Sequence, residues 1–160
     1  MIDDLLLTLT LITALGCGLV AGVFYAFSTF VMKALARLPA AQGIAAMQSI
    51  NIVVINPVFM AAFVGTAAAC VLVAVFSIVR WSGSEDAYSL SGALVYLIGT
   101  ILVTVAFNVP RNDALAAADP QSVAGAGLWE RYVTSWTAWN HVRTAAALAA
   151  AALLTVAVSQ

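Results

Sequence analysis

Charge is what this sequence has least of. Lys and Arg number 6 and Asp and Glu 7, so 8% of its 160 residues are charged and the net charge is −1. Soluble domains carry about a quarter charged residues, so the surface of an ordinary water-soluble globule is missing. No basic patch is large enough to follow a phosphate backbone, which excludes a nucleic-acid partner. Cysteine occurs only as Cys17 and Cys70, each inside an apolar run. Two such thiols read as small buried hydrophobes rather than as a disulfide framework. Histidine occurs once, at His141. A lone histidine with no Cys, Asp or Glu suitably spaced beside it is a poor metal site, so no metal is expected. Long alternations of apolar and polar residues are missing too, which excludes a transmembrane barrel. No basic leader precedes the first apolar run, which opens Met-Ile-Asp-Asp, so that run reads as a retained span.

Apolar residues make up 64% of the chain, and its mean hydropathy is +1.05. A spanning helix needs about 20 mostly apolar residues. Four stretches qualify: residues 5–32, 52–79, 90–109 and 139–158. Backbone groups in lipid must bond within their own segment, so continuous runs of this kind form helices. The expected fold is all-α: one integral membrane four-helix bundle over residues 1–160, with short interfacial helices in loops one and three. Lys33, Arg37, Arg111 and Arg131 fall in loops one and three, and only Arg80 falls in loop two. The positive-inside rule then places loops one and three in the cytoplasm and both termini outside, in the inner membrane.

Local signals refine this picture. Ala14, Gly18, Gly22 and Ala26 recur at four-residue steps, so the Gly18/Gly22 face suits close helix approach, within the chain or in a homo-oligomer. Ile44, Met47 and Ile50 suit a short helix lying in the interface. Asn56-Pro57 reads as a helix cap and first position. Pro110 is expected to kink or restart the third helix. Asp119-Pro120 reads as another cap and start, and Gly125 and Gly127 as a hinge.

The informative stretch is Trp129 to Thr144, W-E-R-Y-V-T-S-W-T-A-W-N-H-V-R-T, with three of the four tryptophans and the only histidine. On a helix it has two polar faces, because His141 lies about 160° from Arg143. Trp136, Trp139, Asn140 and Arg143 mark one face; Thr137, His141 and Thr144 mark the other. Arg143 sits about one turn inside the last apolar run. A cation there snorkels to the interface or faces the bundle and pairs, with Asp113 the nearest inner-side candidate. His141 stays open between a general base and a structural histidine. Tyr25, Ser28 and Thr29 end span one, Asn51 and Asn56 precede span two, and Asn108, Arg111, Asn112 and Asp113 end span three. All fall on the inner side with the Trp136–Thr144 segment, which suggests a polar, aromatic-rimmed pocket for a flat, membrane-soluble molecule.

Asn-Val-Pro-Arg-Asn-Asp at 108–113, followed by Trp-x-x-Tyr-x-x-x-Trp-x-x-Trp-Asn-His-x-Arg-Thr at 129–144, resembles the anthrone oxygenase family. Its members are small four-span membrane proteins, and the likeness extends over nearly the whole chain. The resemblance implies oxidation of an anthrone to an anthraquinone by O2 without a metal, flavin or other cofactor. It implies His141 as the base that removes the acidic CH2 proton. It implies Arg143, Asn108 or Asn140 as the group that stabilises the enolate oxygen. Trp136 and Trp139 would hold the flat rings. Arg111, Asn112, Tyr25 and Asn56 complete the expected substrate-binding set. The competing reading is a non-enzymatic membrane protein that binds a lipid or quinone or assists a membrane complex.

Overall fold

The computed structural model describes residues 2–160. Five helical rods account for most of it. Helix α1 covers residues 2–35: Ile2–Ala26, a π-helical stretch Phe27–Val31, and a last turn Met32–Leu35. Helix α2 is Ala40–Val53 and α3 is Pro57–Val79. Helix α4 is Ser84–Ala116 and α5 is Val123–Val158. Helices α1, α3, α4 and α5 are each long and apolar enough to cross a bilayer. The chain is therefore an all-α membrane protein of the four-span kind.

The four long helices close a ring: α1 and α4 each pack against both α3 and α5. Small residues let them approach. Gly16 stands against Thr66 and Gly99 against Ala146, where an added Cβ would overlap its neighbour. The half of the core away from α2 is mostly apolar, with Cys17, Val20, Cys70, Val73, Tyr96 and Leu154, and its buried polar residues are the hydroxyls Thr13, Thr66, Ser77 and Ser89. Both cysteines are free and buried. Leu15, Leu19, Val58, Ile98, Leu102 and Leu148 point outward, as lipid-facing residues must.

Several boundaries differ from expectation. Asn56 does cap α3: its Oδ1 accepts from the Val58 and Phe59 amides at 3.1 and 3.0 Å, and Pro57 takes the first helical position. Helix α4 runs on to Ala116, and within it regular α-helix restarts at Val109 with Pro110 in the first turn, as expected. The backbone ahead of Pro110 is π-helical, and the Val109 amide bonds the Thr104 carbonyl five residues back. This wider turn accommodates a ring that would clash with a carbonyl in a regular helix. Gly125 and Gly127 form no hinge; both lie inside α5. Asp119 does not cap that helix. Its Oδ1 accepts from the Gln121 amide at 2.9 Å, and Ser122 is the cap, accepting from the Gly125 amide at 2.9 Å. Loop three, residues 117–122, has no helix of its own. Loop one does hold α2, but Ile44 and Met47 face the protein, buried with Trp129 and Leu115. Gln48 Nε2 donates to the Leu115 and Ala118 carbonyls at 2.8 and 3.1 Å, which fastens loop one to loop three at the same end of the bundle.

Candidate functional site

Helix α5 has 36 residues, about 54 Å of rise, against a hydrocarbon layer of about 30 Å. Its N-terminal part therefore reaches beyond the hydrocarbon, and there its large buried residues are aromatic. Trp129, Tyr132 and Trp136 follow helical three- and four-residue steps and stack in sequence, with centroids 5.7 and 6.1 Å apart. Asn112 Oδ1 holds the ladder in place. It accepts from the Tyr132 hydroxyl at 2.9 Å and from Trp136 Nε1 at 2.8 Å. The two sequence motifs thus meet directly, one from α4 and one from α5.

About two turns beyond Trp136, Arg143 lies inside the bundle and is 5% exposed. It does not snorkel, and Asp113 does not pair with it; Asp113 is exposed. Its partners are neutral. Nη2 donates to Asn140 Oδ1 at 2.7 Å and Nη1 to Thr104 Oγ1 at 3.2 Å. The guanidinium carbon lies 4.2 Å from the Phe24 ring centroid and 5.1 Å from that of Trp136. A cation at bilayer depth costs about 3 kcal/mol on insertion scales. Charge-assisted hydrogen bonds of about 1.5–3 kcal/mol and cation–π contacts of about 0.5–2 kcal/mol offset that without neutralising the charge.

Asn140 is fully buried and ties α5 to α1. Its Nδ2 donates to the Phe24 carbonyl and to Ser28 Oγ, both at 2.7 Å. Thr144 donates to the Asn140 carbonyl at 2.8 Å, so the Ser28 hydroxyl is the donor in the 2.9 Å Ser28–Thr144 bond. Thr144 accordingly belongs with Asn140 and not with His141. Asn108, 1% exposed, donates to the Trp136 carbonyl at 3.3 Å.

The π-helical stretches converge on this centre. Phe27–Val31 supplies Ser28, Leu97–Leu102 supplies Thr100, and Thr104–Asn108 supplies Thr104 and Asn108. Such turns cost regular hydrogen bonding and recur at functional sites. Unpaired buried polar atoms concentrate here as well: Arg143 Nε, Asn108 Oδ1 and Thr100 Oγ1. Buried polar groups are ordinarily bonded, so three unbonded ones near a buried cation are suited to receiving a ligand. Thr100, Thr104, Ser28 and Phe24 complete the centre. The first two share four-residue steps with Asn108, a periodicity visible in the sequence but hidden among apolar neighbours.

The remaining expected residues lie elsewhere. His141 is exposed on the far side of α5. There it lines a groove of about 350 Å³ with Met32, Lys33, Val133, Thr137 and Ala138. Tyr25 is 55% exposed and points away from the bundle. Asn56 is occupied as the α3 cap. Arg111 bonds Ser135 Oγ at 3.1 Å and the Phe107 carbonyl at 2.6 Å, so it braces the π turn of α4 rather than entering the centre. Trp139 does not stack with Trp136. It lies face to face with Phe107, centroids 3.6 Å apart and planes at 6°.

The family model described as Anthrone oxygenase matches residues 57–153, more than half of the chain. The chain belongs to the anthrone oxygenase family. That span takes in α3, α4 and the part of α5 that carries Trp129 to Thr144, but not α1 or α2. The family match therefore covers Asn108, Asn140 and Arg143, whereas the partners Phe24 and Ser28 lie outside it. No curated protein and no solved structure matches this family member.

Proposed function

We propose that this chain oxidises a flat, membrane-dissolved ketone of the anthrone type with molecular oxygen, and that Arg143 holds the substrate as its enolate. The observation that carries this reading is a buried guanidinium whose bonding partners are all neutral. Such a centre favours an anionic oxygen. A charge pair at about 4 Å in a partly screened interior is worth about 4 kcal/mol, roughly a thousandfold in the ionisation of the bound ketone. The ketone enters the centre neutral from the bilayer, and its CH2 proton passes to water as the enolate forms beside Arg143. The enolate carbon transfers an electron to O2, and recombination forms a carbon–oxygen bond and a peroxide anion. The peroxide takes up a proton from water, the carbon's remaining hydrogen returns to water as a proton, and the O–O bond breaks to give the second carbonyl and hydroxide. One ketone and one O2 become one quinone and one water. Arg143 stabilises the oxyanion, Asn140 Oδ1 holds its guanidinium in place, and Asn108 stands beside them. By the positive-inside rule the Arg143 end, with Lys33, Arg37, Arg111 and Arg131, faces the cytoplasm of the inner membrane.

A second reading rests on the groove around His141. There the histidine acts as base, Lys33 faces the enolate oxygen, and the unpaired Thr137 hydroxyl lines the wall. Oxygen uptake with an anthrone separates the two. On the Arg143 reading the purified protein accelerates uptake, Arg143→Gln slows it on the order of a hundredfold, and His141→Ala stays within about twofold of the parent. Loss of rate in His141→Ala with Arg143→Gln unaffected would transfer the chemistry to the groove. No acceleration by the parent across a panel of anthrones and hydroquinones would leave the non-enzymatic lipid- or quinone-binding role.

A further inference from the structure

The Phe107–Trp139 stack has an unusual geometry. Aromatic pairs prefer offset or edge-to-face arrangements, because the negative faces of two electron-rich rings repel. Here the planes are nearly parallel and the centroids only 3.6 Å apart, so the rings lie almost directly over one another. The other aromatic pairs of the protein have centroids 5.7 to 6.1 Å apart. Both rings are half-buried at the seam between α4 and α5. Phe107 also belongs to the Thr104–Asn108 π-helical turn, where the backbone ladder is already displaced from regular register.

The seam adjoins the buried cation. Trp139 lies four residues before Arg143 on α5, and Phe107 three residues after Thr104 on α4, while Arg143 Nη1 bonds Thr104 Oγ1 at 3.2 Å. Along the helix axes the stacked pair is thus offset from Arg143 and Thr104 by about one helical turn, a rise of about 5.4 Å. That is shorter than the long axis of three fused rings.

We infer that Phe107 and Trp139 are the two leaves of the planar-substrate site: a flat, carbonyl-bearing tricycle enters from the bilayer by inserting between them. This rests on the oxidation proposed above and deepens it, by assigning the shape selectivity and the entry route to this pair. A ring depleted of electrons by its carbonyl is attracted to the faces of two electron-rich rings, so the inserted ligand replaces a repulsive contact with two favourable ones. Its oxygen edge then points along the seam toward Arg143 and its unpaired Nε. A twisted diaryl ketone of similar polarity cannot lie between two parallel planes.

The test uses equilibrium binding of anthraquinone, which cannot be oxidised further, to the full-length protein in nanodiscs. Stacking on one aromatic face is worth about 1–3 kcal/mol by alanine substitution, or about tenfold to a hundredfold. Phe107→Ala and Trp139→Ala are each expected to weaken binding by about tenfold or more. Trp139→Phe keeps a ring and is expected to bind within about threefold of the parent, and it controls for folding. Twisted benzophenone is expected to bind at least tenfold more weakly than anthraquinone. Unchanged binding in Phe107→Ala, or equal binding of benzophenone and anthraquinone, would overturn the inference. Because the probe is not turned over, the result is independent of the oxidation itself. Normal sandwich binding by a protein that oxidises no anthrone would sink the oxidase reading alone. Undiminished oxidation by both alanine variants would sink the sandwich alone.

Discussion

At the scale of single residues, the decisive one is Arg143. The sequence showed a cation one turn inside an apolar run and left open whether it reached out to water or in to a partner. The structure turns it inward and surrounds it with an amide, a hydroxyl and two aromatic faces. Its role depends on shape as well as charge. The planar guanidinium donates from two separate nitrogens, to Asn140 and to Thr104, and its carbon lies over the Phe24 ring. An ammonium is a point charge without that fork. Arg143→Lys is therefore expected to keep the charge and the helical fold but to lower anthrone oxidation by at least tenfold. Circular dichroism and oxygen uptake on the same preparation check this. Retained activity would mean that charge alone suffices. His141 shows the opposite lesson. Rarity drew attention to it, yet it stands on the outer side of α5, facing a shallow groove.

At the scale of elements, the boundaries follow local chemistry where a cap or a close contact decides them. Asn56-Pro57 opens α3 as its residue types require. Pro110 restarts regular helix as its residue type requires, while the π-helical backbone ahead of it lets α4 run on. No residue type marks a π turn in advance, because it arises from packing between helices rather than from propensity. Glycines show the same division. Gly99 meets Ala146 across the α4–α5 contact, whereas Gly18 and Gly22 have nothing within 4 Å of an added Cβ. Gly99→Ala is expected to destabilise the bundle by about 1–3 kcal/mol through overpacking. Gly18→Ala is expected to leave stability unchanged or raise it by up to about 1 kcal/mol, through helix propensity. Thermal melting in one detergent compares the two. An equal fall in both would contradict the outward placement of Gly18.

At the scale of the whole molecule, the core is mostly apolar in one half, while the other half holds the buried cation and amides, and that end carries loops one and three joined through Gln48. The basic residues gather at that end, so its orientation can be tested directly. Ser84 and Ala117 are exposed and lie at opposite ends, whereas Cys17 and Cys70 are fully buried and stay silent to a thiol reagent. Ser84→Cys is expected to label in intact cells with a membrane-impermeant maleimide, and Ala117→Cys only after the membrane is opened. The reverse pattern would invert the topology and set the Arg143 end outside.

The sequence alone determined that this chain is helical and membrane-embedded, with four spans and its informative residues at one end. Those properties depend on apolar run length and on the rule that backbone groups in lipid must bond within their own helix. It also carried the two motifs by which the family is recognised. Only the tertiary structure decided which face of α5 forms the centre, how Asn112 joins the motifs, and that Phe24 and Ser28 come from α1 to complete it. Helical periodicity places residues around one axis but leaves open which side a neighbouring helix will cover. That choice is made by contacts such as Gly99 on Ala146, between residues far apart in the chain.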